Sequence, residues 1–141
     1  MRPLEARSHA QAILKRHPVL LDKISVSTGL EKLDVEELFE EVLKYLFVAS
    51  ITSPSHGLPP SVLVDKAWHE FILHTRVYSE FCQNELGKFV HHVPGRENPT
   101  EEDISRVLGL LTEHYGIVNE RIWTRSSLEC DGNPHCVPEP D

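Results

Sequence analysis

The chain has 141 residues, enough for one domain with a single core and too few for two of ordinary size. Apolar residues make up 40% and charged residues 26%, which excludes a wholly disordered chain, and no run approaches the roughly 20 apolar residues a bilayer span requires. Twenty-two acidic side chains against 14 basic ones leave a formal charge of −8, which argues against general nucleic-acid or anionic-membrane binding.

The first seven residues carry no apolar core of a signal peptide, and three cysteines are too few for a disulfide scaffold. A reducing cytoplasm is therefore the expected setting. Nine histidines are the unusual feature of the composition.

Helical periodicity dominates the chain. Residues 4–16 predict a first helix, closed at the His17-Pro18 step because the residue before proline avoids the α region. A short second helix over about 19–28 ends at Gly29, a suitable left-handed cap. Asp34, with Glu37 three residues on, reads as the capping box of the next helix. There Val35, Leu38, Phe39, Val42, Leu43, Leu46 and Phe47 form an apolar stripe, and Glu36, Glu37, Glu40, Glu41 and Lys44 form the opposite, solvated face. Ser53 to Pro60 reads as a loop.

Residues 61–86 predict one long helix ended by Gly87, about seven turns at 3.6 residues each. Residues 88–95 follow as a short extended piece or turn. Thr100 and Asp103 predict a capping box for a further helix, with Ile104, Val107, Leu108, Leu111 and Tyr115 facing inward and Gly116 closing it. Ile122 and Trp123 are expected to dock back on the core. The expected fold is all-α: a single domain of four to five helices over residues 1–125 with one long central helix. A flexible acidic tail bearing cysteine and proline is expected over 126–141.

The chemistry concentrates on the long helix and the piece after it. Asp65 and His69 stand at i, i+4 and share a face. His69 and His74 are five apart, about 140° around an ideal helix, so the His69-Glu70-Phe71-Ile72-Leu73-His74 run is no zinc-protease motif, which needs histidines at i and i+4. A turn at Gly87 folds the chain back and brings His91 or His92 to Asp65 and His69. That set of imidazoles and a carboxylate suits a transition metal, zinc first and iron or copper next. Asp65 serves equally as a partner that orients His69. The alternative is structural: Asp65–His69 as a hydrogen-bonded helix pair and His91 as a cap on helix carbonyls.

Trp68, Phe71, Ile72, Tyr78 and Phe81 read as core. Cys82 reads as a buried, inert thiol, since His74 lies roughly 12 Å along the helix and a nucleophilic pair needs His56 or His92 instead. Cys130, His135 and Cys136 offer a soft-metal set or a disulfide, at a spacing that matches no zinc knuckle. His9, His17, His56 and His114 are expected at the surface or in loops. No glycine-rich phosphate cradle or nucleophile elbow occurs.

The run Val64 to Cys82, with its Asp65-x-x-Trp68-His69 core, Tyr78 and Cys82, followed by Gly87 and His91-His92-x-Pro94, resembles the glycine-rich domain-containing-protein-like family. Phe71 stands where that family frequently has a second histidine. The resemblance implies that Asp65, Trp68, His69, Tyr78, Cys82, His91 and His92 form a functional group, and it transfers no activity. The expected protein is thus a small cytoplasmic helical protein with a metal site at Asp65, His69, His91 and His92. The alternative is a non-enzymatic interaction module whose acidic helix engages a basic protein partner.

Overall fold

Local chemistry sets most helix ends in the computed structural model, which describes residues 5–52, 57–93, 99–116 and 118–125. Helix α1 (Ala6–Arg16) stops at His17, and Pro18, whose missing N–H costs nothing at a first helical position, opens α2 (Pro18–Thr28). Gly29 caps α2 at a φ of 77°, the left-handed region that a side chain disfavours. Helix α3 (Lys32–Ser50) follows. Asp34 does not cap it: the helix begins earlier, at Lys32 with Glu31 in the cap position, and Asp34 sits in the first turn, where its charge still complements the helix dipole. Ser61 caps α4 (Val62–Leu73), its hydroxyl accepting from the Val64 N–H at 3.2 Å. Thr100 and Asp103 form the expected reciprocal capping box of α6 (Glu101–Tyr115), at 3.0 and 2.9 Å.

The central helix is α3, not the 61–86 segment. It packs against α1, α2, α4 and α6, and from Glu41 to Ser50 every residue is buried. The solvated face expected for this helix holds for Glu36 and Glu37, which are exposed, and fails for Glu41 and Lys44. One Glu41 oxygen accepts from Trp123 Nε1 at 2.9 Å and the other from Lys44 Nζ at 3.1 Å. Trp123 arrives from a π-helical turn, Arg121–Arg125, and is fully enclosed, as the docking of Ile122 and Trp123 required. A buried carboxylate persists here because both its oxygens are hydrogen-bonded. No helix among the described residues is long and apolar enough to cross a membrane.

The predicted long helix is interrupted. It breaks at His74, whose ψ of 71° leaves the helical region, and resumes as α5 (Thr75–Phe81) and a π-helical turn, Cys82–Leu86. The break has a packing consequence. Ten residues of continuous helix would separate Trp68 and Tyr78 by about 15 Å of rise. With the kink, Trp68 Nε1 donates to the Tyr78 hydroxyl at 3.0 Å, and the Phe71 and Tyr78 rings meet edge to face at 5.0 Å. The fold is nevertheless all-α, one array of helices around one core. The segment from 126 onward lies outside the described residues.

Candidate functional site

Gly87, at a φ of 79°, ends the π-helical turn and reverses the chain, as its position predicted. Residues 88–93 then run back along α4 and α5 without regular structure. This strap is held by Tyr78, whose hydroxyl donates to the Val90 carbonyl at 2.5 Å while accepting from Trp68. Val90 is buried, and the Phe89 ring stands edge-on against Tyr78 at 5.2 Å.

The anchored strap delivers His92 to α4. Its Nε2 lies 2.6 Å from Asp65 Oδ1, with both side chains about one-fifth exposed (20% and 21%). The Trp68 ring flanks the imidazole, at 4.5 Å between centroids. His69 is exposed on the same side, its ring edge-to-face with His92 at 6.2 Å. His91 packs its ring on Phe89, at 4.7 Å between centroids. A small cavity of about 20 Å³ opens here, lined by Asp65, His91, His92, Trp68 and Tyr45 with the 58–60 turn. It has room for one water molecule.

The expected helix pair Asp65–His69 is therefore replaced by Asp65–His92. The carboxylate reaches across to the strap instead of along its own helix, because Trp68 and the Tyr78–Val90 bond hold the His92 ring within its reach. Of the four residues proposed as ligands, Asp65 and His92 touch, the His69 ring stands 6.2 Å from that of His92, and His91 joins Asp65 and His92 in the cavity lining. Among the described residues, no three His, Cys, Asp or Glu side chains stand together as a ready metal cage.

The surrounding polar groups are structural in character. Burial pushes the Tyr78 phenol far above its ordinary range, the neighbouring Cys82 adds to this, and the Trp68 hydrogen bond opposes it only in part. Burial likewise pushes the Cys82 thiol up, against a smaller opposing contribution from the Val90 backbone. A thiol so placed is a poor nucleophile. His92, one of the two imidazoles it would need, is engaged by Asp65, and His56 lies outside the described residues. His74 closes its own helix, with Nδ1 3.3 Å from the Glu70 carbonyl. His9 pairs with Glu85 at 3.3 Å, and His114 packs edge-on against Phe47. Cys130, His135 and Cys136 fall outside the described residues. The sequence placed Tyr78 in the core and, through the resemblance, in the functional group, without foreseeing it as the hub of the strap. The signal was present in the pairing of Trp68 with a tyrosine, two side chains whose polar atoms need partners when buried.

The sequence profile of the UCP032817-like family matches residues 10–121, well over half of the chain. This overturns the resemblance to the glycine-rich domain-containing-protein-like family, which is a different family. Neither the curated proteins nor the solved structures contain a match.

Proposed function

Because the chain belongs to the UCP032817-like family, whose description carries no activity, we propose a function from the geometry alone: the Asp65–His92 corner, with His69 beside it, binds one transition-metal ion, zinc first and iron or copper next. The observation that carries this reading is the carboxylate–imidazole contact at 2.6 Å with a second, exposed imidazole 6.2 Å away, ring to ring. Asp65 Oδ1 and His92 Nε2 would hold the ion, and their 2.6 Å contact would have to open to admit it. Asp65, His92 and His69 would supply three ligands, leaving a position for water. A cytoplasmic setting belongs to the same proposal.

The test is elemental analysis and calorimetric titration of protein purified without a histidine tag. About one equivalent of zinc is expected, with the loss of at least tenfold in affinity on Asp65→Asn or His92→Asn. Less than about a tenth of an equivalent of any transition metal, unchanged on reconstitution, removes the reading.

One observation favours a second reading. Asp65 and His92 satisfy each other, and Trp68 is locked to Tyr78, so the corner already works as a clasp that closes the strap on α4. The protein is then an interaction module without enzymatic activity, and the exposed Glu36 and Glu37 of α3 face a basic protein partner. Loss of stability in His92→Asn without any bound ion in the parent supports it.

A further inference from the structure

We infer that Tyr78 is the positioning residue of the Asp65–His92 corner: its buried hydroxyl, oriented by Trp68, fixes the strap so that His92 rather than His91 meets Asp65. The inference deepens the site proposed above, and it stands on the position of a ring, whether or not a metal binds.

His92 is the one member of the corner that does not come from α4. Its register against α4 is set through the strap. His91 directly precedes His92 on the strap, so a shift of one residue along α4 would put His91 where His92 now stands. Two contacts oppose such a shift. The Tyr78 hydroxyl donates to the carbonyl of Val90, two residues before His92, at 2.5 Å. The Tyr78 ring also meets the ring of Phe89 at 5.2 Å, and Phe89 in turn carries His91 at 4.7 Å. One side chain thus holds the strap at two adjacent positions and indirectly parks the competing imidazole.

The hydroxyl itself has little freedom. It accepts from Trp68 Nε1 at 3.0 Å, so its own proton is directed to Val90. The same indole flanks the His92 ring at 4.5 Å. Trp68 therefore aligns the phenol that sets the strap and forms the wall the imidazole rests on. The kink at His74 is what brings Tyr78 within reach of Trp68. Burial keeps the phenol protonated, so the donor is constant.

The experiment compares the full-length parent with Tyr78→Phe, which removes one oxygen and keeps the ring. Ring ¹⁵N shifts of His92 are read by nuclear magnetic resonance, and zinc affinity by titration. Asp65→Asn gives the reference spectrum for an altered pair. Ser25→Ala, which deletes a hydroxyl bond to the Leu30 carbonyl in another part of the fold, controls for lost stability. Tyr78→Phe is expected to move the His92 shifts toward those of Asp65→Asn and to weaken zinc about tenfold, the usual effect of removing an orienting partner. Ser25→Ala is expected to change neither. His92 shifts in Tyr78→Phe that match the parent overturn the inference. If the parent binds no zinc, the metal reading fails alone and the His92 shifts still decide this one. Should Tyr78→Phe not fold, Trp68→Phe takes its place: it keeps an aromatic wall beside His92 but removes the donor that aligns the phenol, and the same shifts are read.

Discussion

Asp65 and His92 are separated by 27 residues, yet they form a 2.6 Å contact at a partly exposed corner. A hydrogen bond involving a charged group contributes about 1.5–3 kcal/mol where it is enclosed, and less where water reaches it. Asp65→Ala and His92→Ala are accordingly each expected to lower unfolding free energy by about 1–2 kcal/mol, and the double variant to lose about 1 kcal/mol less than the two added together. Strict additivity in urea unfolding would show that the pair contributes nothing as a pair. His69→Ala, altering an exposed ring, is expected to stay within about 0.5 kcal/mol of the parent. The sequence made Asp65 and the three histidines visible as a group, because i, i+4 spacing and a glycine turn are local signals. Which imidazole reaches the carboxylate was not visible. That choice is one of strap register, and register here is set by a hydroxyl on Tyr78 bonding a carbonyl 12 residues later.

At the level of helices, the instructive failure is α3. Its apolar stripe was legible, and so was the exposure of Glu36 and Glu37. Periodicity describes one buried face, however, and α3 is covered on further sides by α6 and by Trp123, which bonds Glu41 from 82 residues away. No local pattern encodes a cover that arrives so late in the chain. Glu41→Ala removes the closer of the two carboxylates beside the enclosed Lys44, at 3.1 Å against 3.4 Å for Glu40, and leaves the Trp123 N–H without its acceptor. The expected cost is about 3 kcal/mol, whereas Glu36→Ala is expected within about 0.5 kcal/mol of the parent. Equal losses in thermal or urea unfolding would contradict the division of the acidic run into a solvated and an enclosed part. The kink at His74 was hidden for a different reason. Neither proline nor glycine marks the site, so the apolar spacing ran through it, and the break follows from the packing of Trp68, Phe71 and Tyr78 together.

For the molecule as a whole, the same packing couples global stability to pH on the alkaline side. Tyr78 is neutral in the folded protein because burial raises its phenol far above the ordinary value near 10. Below pH 10 both the folded and the unfolded chain keep that proton. Above it the unfolded chain releases the proton and the folded one does not, so the folded state binds more protons and stability falls as pH rises. The phenol alone gives a slope of up to about 1.4 kcal/mol per pH unit. The Cys82 thiol, also raised by burial, adds a contribution of the same sign that begins lower, near its ordinary value of 9. Tyr78→Phe is therefore expected to be less stable than the parent at neutral pH, having left the Val90 carbonyl and Trp68 N–H unpaired, and to lose stability less steeply above pH 10. Urea unfolding of both proteins across the alkaline range measures this directly. Curves that fall in parallel would mean that the Tyr78 hydroxyl is open to water, and with it that the core beneath the strap is not the closed arrangement of Trp68, Tyr78 and Val90 on which the Asp65–His92 corner rests.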